Sequence, residues 1–194
     1  MIDNNSLFNI DNIRNSKEFK NIISTKSQLD YYIDNQSDPD ILKIVEFSNK
    51  KFGEKTQKIV GEMLNLSKSN TSLYDLVQKS TGKKFEVKSS RYGANGKNWM
   101  WQHIMENEKF IYDYLLFIGV NFNKIDVFII TKQQLFSLKN KNVNLLNKNI
   151  KPKYIVVQQG SGEGQGLWCQ YDMIKDYLNP INNIEDFNNF IENN

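Results

Sequence analysis

The chain is poor in cysteine and histidine and contains no long apolar run. The single cysteine, Cys169, excludes an internal disulfide framework and a cysteine-based zinc site, as expected in a reducing compartment. The single histidine, His103, excludes hydrolytic centres that need several histidine ligands, and we expect it to be structural. No apolar run approaches the roughly 18 residues of a membrane span, and the polar N-terminus lacks a secretory signal pattern. We therefore expect a cytoplasmic protein that does not associate with membranes.

At 194 residues the chain is long enough for one domain with a sizeable core. We expect a helical arm or subdomain at 1–35, a core at 38–139, and a C-terminal region at 152–194 with a strand, a polar glycine-rich loop and helices. The net charge of +3 is small, but residues 79–97 hold six basic residues against one acidic residue, Glu86. Such a basic strip binds phosphate groups, although a solvated lysine-rich turn has the same composition.

Residues 72–89 have the pattern of a β-hairpin. Two short runs rich in apolar and β-branched residues, 72–77 and 84–89, flank a polar stretch that contains a glycine. A turn centred on residues 80–81 makes paired residue numbers add to about 161. The predicted register pairs Asp75 with Glu86, Leu73 with Lys88, and Val77 with Lys84.

Alternation along these strands separates an apolar face from a charged face. The side chains that we expect to be buried on the apolar face are Tyr74, Leu76, Phe85 and Val87. Asp75, Glu86 and Lys88 point to the opposite face. Carboxylates directly opposite each other on a sheet destabilise it by about 0.2 to 1 kcal/mol, and in a cleft they need a neutralising cation. Their hard oxygen atoms suit Mg²⁺, which usually takes one or two protein carboxylates and leaves its other positions to water and phosphate.

These three residue types together indicate phosphodiester hydrolysis. A carboxylate-bound cation lowers the pKa of water and neutralises charge on a phosphate, and a neighbouring amine can orient that water. A solvated hairpin face carries the same residue types without any catalytic role. Residue type and spacing alone therefore leave both interpretations open.

The letters around the hairpin resemble one family closely. Tyr-Asp-Leu-Val at 74–77 and Gly-Lys-Lys-Phe-Glu-Val-Lys-Ser-Ser-Arg at 82–91 resemble the catalytic hairpin of the PD-(D/E)XK nuclease superfamily, and the neighbouring residues resemble type II restriction endonucleases. Tyr74 stands where the motif is named for proline. The likeness covers residues 38–139 in the order of elements, and only the hairpin is close in letters. It implies an α/β fold with a restriction-endonuclease-like αβββαβ core, in which helices flank a central mixed sheet.

The resemblance also implies roles for individual residues. Asp75, Glu86 and the Val87 carbonyl would bind Mg²⁺, for which Mn²⁺ can substitute, and Lys88 would orient or activate water. The implied activity is Mg²⁺-dependent, sequence-specific cleavage of double-stranded DNA that leaves 5′-phosphates. A homodimer would cut both strands, and a cognate DNA methyltransferase would be the genetic partner. Two alternatives stay open: a structure-specific or nicking repair endonuclease with this hairpin, and a non-catalytic DNA-binding protein on a nuclease-like fold.

A long helix is predicted before the hairpin. Residues 37–39, Ser-Asp-Pro, have the pattern of a capped helix start, and 41–66 read as one helix that bends near Gly53. One apolar stripe runs along it: Phe52, Thr56, Ile59, Val60 and Met63. Superfamily members often carry a glutamate on this helix that reaches the metal. The matching position here is Gln57, so that carboxylate is missing unless Glu62, on the flank of the stripe, replaces it; Glu62 as a solvated surface residue is the alternative.

The downstream segments predict the rest of the sheet. Nearly continuous apolar runs at 112–120 and 125–131 are typical of buried strands. Residues 132–139 then read as a helix and 154–158 as a final strand. The spacing of a small docked helix is seen in Ile184, Phe187 and Ile191.

Two glycine-rich loops are candidates for contacts with DNA. The first, 91–98, follows the second hairpin strand, and a helix is predicted to begin at Trp99; an ordinary connection with the tryptophans in the core fits as well. The second, 158–166, lacks a nucleotide-binding glycine motif. Arginine and lysine suit guanine or phosphate, and asparagine and glutamine suit adenine. The predicted DNA contacts are Lys84, Ser89, Ser90, Arg91, Asn95, Lys97, Asn98, Gln102, Gln158, Gln159, Ser161 and Gln165.

Overall fold

The computed structural model describes residues 10–93, 98–105, 111–139, 142–143, 153–154, 156–158 and 166–194. The helices are α1 (Ile10–Asn15), α2 (Lys17–Ser24), α3 (Gln28–Asp34), α4 (Pro39–Val45), α5 (Asn49–Met63), α6 (Lys132–Ser137), α7 (Tyr171–Ile174) and α8 (Ile184–Glu192), with a 3₁₀ turn at Lys175–Tyr177. The strands are β1 (Ser67–Lys68), β2 (Leu76–Val77), β3 (Lys84–Arg91), β4 (Met100–Ile104), β5 (Tyr114–Val120), β6 (Ile125–Thr131), β7 (Asn142–Val143), β8 (Lys153–Tyr154), β9 (Val156–Gln158), β10 (Leu167–Gln170) and β11 (Asn179–Pro180). Over these ranges, no helix has the length and apolar character needed to cross a membrane.

The predicted α/β architecture with a mixed sheet is confirmed. The main sheet has six strands in the order β1-β2-β3-β5-β6-β11. β3 runs parallel to β5, whereas β2 with β3 and β5 with β6 are antiparallel. All of β5 is buried, since layers cover both faces of the sheet at its centre. A smaller sheet has the order β4-β10-β9.

Two hydrophobic clusters hold these layers together. On one face, residues of α3, α4, α5 and α8 pack against Phe85, Val87 and Leu116 of the sheet. On the other face, residues of β4, β10, α6 and α7 pack against Leu115 and Phe117. Consecutive residues of β5 therefore enter different cores, as the period of two in a strand requires. The hairpin strand β3 lies between these two layers.

The single helix predicted for 41–66 is wrong, because α4 and α5 are separate helices. The start of α4 is as predicted: the Asp38 side chain accepts hydrogen bonds from the first turn, and Pro39 occupies the first helical position. The break between the helices is held by Arg91, whose guanidinium donates to the carbonyls of Val45 and Phe47. Carbonyl groups at a helix C-terminus lack partners within the helix, so this arginine satisfies them. That contact comes from a distant strand and leaves no local signal in the sequence.

The apolar stripe of α5 is confirmed in part. Its buried members are Phe52, Thr56 and Val60. The Thr56 hydroxyl lies 2.7 Å from the Ser89 hydroxyl, and this hydrogen bond joins α5 to β3. Met63 is 72% exposed, so its predicted burial is wrong. It is the last residue of α5, where the chain leaves the sheet.

The hairpin forms in the predicted register, although its first strand is shorter than expected. The observed pairs are Leu76 with Phe85 and Val77 with Lys84. Because β2 begins only at Leu76, the predicted pairing of Leu73 with Lys88 is wrong. Tyr74 packs against the second cluster instead of joining Leu76 in the first. The cause is a turn of the backbone at Asp75, whose N–H donates to the Phe85 carbonyl and whose carbonyl accepts from Ser69.

The helix predicted to begin at Trp99 is also wrong, because residues 100–104 form β4. This strand pairs with β10 and buries Trp101 and Ile104 in the second cluster. Aromatic and β-branched side chains favour such a pleated, half-buried surface, and the partner strand lies more than 60 residues away. Trp99 is buried as well, in agreement with the expectation that these tryptophans belong to the core.

The remaining elements follow the predictions with shifted ends. The strands predicted for 112–120 and 125–131 are β5 and β6, and the helix predicted for 132–139 ends at Ser137 as α6. The final strand predicted for 154–158 corresponds to β8 and β9, with residue 155 outside the described residues. In α8, Phe187 and Ile191 are buried, whereas Ile184 is partly exposed.

Gly119 in β5 lies directly against the indole ring of Trp99. An added Cβ at Gly119 would be 2.4 Å from Trp99 Cε2, inside a buried cluster. We expect Gly119→Ala to lower the free energy of unfolding by about 3 kcal/mol through overpacking. The melting temperature should fall by roughly 6 to 12 °C in a thermal denaturation experiment.

Gly53→Ala is the matched control for Gly119→Ala. An added Cβ at Gly53 meets nothing within 4 Å, and alanine favours the helical backbone of α5. Its melting temperature should equal or exceed that of the unmodified protein. Equal melting temperatures for Gly119→Ala and the unmodified protein would contradict the packing of Trp99 on β5.

Candidate active site

Two carboxyl groups lie close together where β2 begins beside β3. Asp75 immediately precedes β2, and its Oδ2 accepts a hydrogen bond from the Val87 N–H at 2.8 Å. Glu86 lies beside Val87 on β3 and is 7% exposed. The Asp75 and Glu86 carboxyl groups lie close enough for each to influence the pKa of the other. The structure therefore brings this pair together as the predicted register requires.

Lys88 completes the cluster on the same face of β3. Its Nζ lies 2.7 Å from Glu86 Oε1, and the two side chains are only 19% and 9% exposed. In the parallel register with β5, Glu86 lies beside Leu115 and Lys88 beside Phe117, both of which are buried. The apolar neighbours restrict water, so this ion pair is stronger than an exposed one.

Burial raises the pKa of both carboxyl groups. For Glu86 the negative charge of Asp75 adds to this effect, while Lys88 opposes it. For Asp75, the hydrogen bond from the Val87 N–H and the charge of Lys88 oppose the rise in pKa that burial causes. When both carboxyl groups are ionised, one lysine leaves the cluster with excess negative charge in a poorly solvated place. A divalent cation would relieve that excess.

The Val87 carbonyl has the direction that the predicted ligand role requires. A strand residue directs its N–H and its C=O to the same side, and the Val87 N–H donates to Asp75. Its carbonyl therefore lies on the side of β3 away from β5, along the edge where the Asp75 side chain lies. β2 pairs with β3 only at Lys84 and Phe85 among the described residues, so the Asp75 side chain occupies the edge of β3 beyond them.

Helix α5 brings Gln57 to the site but leaves Glu62 apart from it. Gln57 is half-buried, and its Nε2 donates to the Asp75 carbonyl at 3.4 Å. Glu62 is exposed and lies 4.0 Å from Lys58. Within the described ranges, no three Asp, Glu, His or Cys residues are grouped as metal ligands. The described cluster thus offers two carboxylates and a carboxamide, with Gln57 at the position that the family resemblance indicated.

Two open grooves flank the site. One, of about 460 Å³, lies between the start of α5 and strand β4, and β3 forms its floor. It is lined by Gln28, Asn49, Phe52, Lys88, Ser89, Ser90, Arg91, Met100, Gln102 and His103. The other, of about 420 Å³, lies between α5 and the strands β1 and β2. Gln57, Lys68 and the exposed Glu62 are among the residues that line this second groove.

Several predicted DNA contacts have structural partners. Ser89 is bonded to Thr56, and the Ser90 hydroxyl accepts from the Met100 N–H at 3.1 Å. The Lys84 ammonium lies 5.6 Å from the centre of the Tyr74 ring. The Asn98 amide donates to Asp172 at 2.9 Å. Gln102 on β4 also lines the groove that contains Lys88. Its position on the strand indicates no structural role of the kind that Ser89 and Ser90 have.

Arg91 is half-buried, and its guanidinium is bonded within the protein. Besides the two carbonyls between α4 and α5, its guanidinium donates to Asn49 Oδ1 at 2.9 Å and stacks 3.9 Å from the centre of the Phe52 ring. Burial lowers its pKa from the ordinary value. These contacts give Arg91 a structural role, since it joins the two helices to β3 while it also lines the groove that contains Lys88.

The other predicted DNA contacts cannot be placed by side chain. Gln158 is the last residue of β9. The following predicted contacts lie outside the described residues: Asn95, Lys97, Gln159, Ser161 and Gln165.

Sequence reasoning missed two residues near the site. Lys68 on β1 lowers the pKa of Asp75 through its charge. A strand of two residues has no periodicity, so nothing in the sequence indicated this position. His103 was expected to be structural, but it is exposed and lines the groove that contains Lys88. The irregular pairing of β4 explains that exposure, and no sequence pattern indicates it.

No protein-family model matches this sequence, and no curated protein sequence matches it.

Proposed function

We propose that the protein is a Mg²⁺-dependent endonuclease that cleaves double-stranded DNA at a specific sequence, in the manner of type II restriction endonucleases. The observation that carries the proposal is the pair of half-buried Asp75 and buried Glu86, with Lys88 at 2.7 Å from Glu86 and beside an open groove. The order α5-β1-β2-β3 also agrees with the first four elements of the restriction-endonuclease-like core. The letters of the hairpin add to this support, whereas Gln57 departs from the glutamate that the resemblance implies on this helix.

The donor set fits a hard divalent cation. Asp75 and Glu86 supply carboxylate oxygens, the Val87 carbonyl points to the same side, and Gln57 lies next to Asp75. Two carboxylates agree with the ligand preference of Mg²⁺, and Mn²⁺ would be accepted as well. When bound, the cation lowers the pKa of a coordinated water and neutralises charge on the phosphate.

Lys88 would hold the attacking water and the phosphate in place. Its ammonium is anchored by Glu86, and Lys88 lines the open groove. A fixed positive charge in a poorly solvated place stabilises the charge that develops on the phosphate. Glu86 would therefore have two tasks, which are to hold the cation and to position Lys88.

The cleavage assay that tests the proposal uses a mixed-sequence plasmid with Mg²⁺, with Mn²⁺ and with EDTA. Discrete fragments with 5′-phosphates that require the cation are expected. Cutting confined to branched or damaged DNA would replace the proposal by a structure-specific repair endonuclease. Binding of DNA without any cutting would indicate a non-catalytic DNA-binding protein.

Assembly and genetic context follow from the same proposal. A palindromic site has two-fold symmetry, so two copies of the chain would cut both strands. A cognate DNA methyltransferase would protect the host DNA. Light scattering in the presence of a cleaved duplex measures whether two copies of the chain assemble on the DNA. A monomer that makes double-strand breaks in one binding event would contradict this assembly.

The stability of the metal-free protein should fall as the pH rises, and Mg²⁺ should restore it. Folding raises the pKa of Asp75 and Glu86 from ordinary values of 3.8 and 4.5, so the folded state binds more protons above those values. Without metal, stability should therefore fall as pH rises from there through the raised folded-state pKa values. Mg²⁺ binds the ionised pair and should restore about 1.4 kcal/mol at a free concentration ten times its dissociation constant.

Thermal denaturation across pH, with and without Mg²⁺, measures this effect. At a pH above the folded-state pKa values of Asp75 and Glu86, Mg²⁺ should raise the melting temperature by roughly 3 to 6 °C. At a pH below the ordinary pKa values of these two groups, the rise should vanish. A gain of the same size in Asp75→Asn would show that Mg²⁺ acts elsewhere.

A further inference from the structure

Strand β4 contains a β-bulge beside the candidate active site. The pairs with β10 are Trp101 with Cys169 and Ile104 with Leu167. Gln102 and His103 therefore lie together opposite the single residue Trp168. An extra residue of this kind bends a strand and changes the direction of its side chains, and such bulges are common next to active sites.

The bulge turns two consecutive polar side chains outward. In a regular strand, neighbours alternate between the two faces, so Gln102 and His103 would point in opposite directions. Here Trp101 and Ile104 are both completely buried, while Gln102 is half-buried and His103 is exposed. His103 has a φ of 57°, in the left-handed region that residues other than glycine rarely adopt. The fold thus holds an unfavourable backbone conformation at the point where this pair is presented.

Both side chains line the groove that begins at Lys88. Other polar side chains of this groove are engaged within the protein, since Arg91 joins α4 to α5, Ser89 is bonded to Thr56, and Ser90 accepts from a backbone N–H of β4. Gln102 and His103 come from a different strand and face the groove from its wall. They are therefore placed to contact a ligand that passes Lys88.

We infer that the pair Gln102 and His103 reads base edges of duplex DNA next to the scissile phosphate. This inference rests on the proposed nuclease function. The major groove of B-DNA admits a two-stranded β-ribbon, and β4 is the edge strand of the antiparallel pair that it forms with β10. A glutamine carboxamide matches the N6 and N7 atoms of adenine, and an imidazole N–H can donate to N7 or O6 of guanine.

The test compares sequence preference and not rate alone. A pool of duplexes with a randomised central window is digested in Mg²⁺, and the cut ends are sequenced for the unmodified protein, Gln102→Ala and His103→Asn. Asparagine tolerates the left-handed backbone, so His103→Asn should keep the fold. Gln36→Asn is the matched control, since Gln36 is exposed, has a φ of 54° and lies between α3 and α4.

We expect each variant to lose discrimination by about tenfold or more at one or two base pairs of the cleaved site. Gln36→Asn should keep the preference of the unmodified protein. Unchanged preference in both groove variants, even with slower cutting at every site, would overturn the inference and leave the nuclease function intact. Cutting by the unmodified protein without any sequence preference would overturn it too. No cutting of any duplex by the unmodified protein would overturn the proposed function, and the inference with it.

Discussion

Asp75→Asn is expected to lose DNA cleavage in Mg²⁺ by about 10³-fold or more, because the substitution removes one of the two carboxylates that the described residues bring together at the site. The fold should survive, since asparagine has nearly the same shape and keeps an oxygen that can accept from the Val87 N–H. Burial raises the pKa of Asp75, so its ionised form is costly without metal. A neutral isostere should therefore leave the melting temperature of the metal-free protein unchanged or raise it.

Two measurements on Asp75→Asn separate a metal ligand from a structural residue. Plasmid cleavage should disappear, and the stabilisation by Mg²⁺ should disappear with it. Asp40→Asn is the matched control, because Asp40 is an exposed aspartate on α4 that pairs with Lys43. Cleavage by Asp75→Asn at the unmodified rate would remove this residue from the active site. Asp75→Ala should give the same loss of cleavage.

Lys88→Met should also abolish cleavage, with a loss of about 10²-fold or more, since a fixed charge near the reacting phosphate is removed. Methionine keeps the length and apolar character of the lysine stem, so the contacts of this side chain on β3 should persist. The substitution leaves Glu86 buried without the ammonium at 2.7 Å. The pKa of Glu86 should rise further, because Lys88 is the charge that opposes the effect of burial.

Mg²⁺ distinguishes the role of Lys88 from that of Asp75. Mg²⁺ should still stabilise Lys88→Met at a pH above the pKa of Glu86, because both carboxylates remain and the competing ammonium is gone. Lys43→Ala, on the exposed pair of α4, is the control for loss of a lysine. Wild-type-like cutting by Lys88→Met or Lys88→Ala would exclude a catalytic role. Loss of both cleavage and Mg²⁺ stabilisation would instead assign Lys88 to maintaining the site.

The hairpin shows what local sequence can predict. The turn position and the alternation predicted that Val77 pairs with Lys84, that Asp75 meets Glu86, and that Lys88 lies on the same face as Glu86. The sheet pairs Val77 with Lys84. Asp75 also lies close to Glu86, and Lys88 forms an ion pair with Glu86. These relations depend on a short loop and a period of two, and both are local properties of the chain.

The incorrect predictions concern contacts between distant segments. Residues 41–66 have helical periodicity throughout, and only Arg91 from β3 explains why the helix breaks after Val45. Trp99 to Ile104 could have formed either a helix or a strand, and the pairing with β10 decided for a strand. Short apolar segments are ambiguous in this way, because tertiary partners outweigh their intrinsic preference.

The sequence by itself determined the chemistry available to this protein: two carboxylates and an amine on one face of a hairpin, with a single histidine and a single cysteine, which exclude a cysteine-based zinc site and centres that need several histidine ligands. Only the tertiary structure decided how those groups are used. It buries Asp75 and Glu86 enough to raise their pKa values, bonds Gln57 to the Asp75 carbonyl while Glu62 stays exposed, and engages the Arg91 guanidinium with carbonyls between α4 and α5. It also presents Gln102 and His103 together through a bulge. The physical reason is that burial and the meeting of distant strands depend on the whole fold, whereas residue type and alternation are properties of a short stretch of chain.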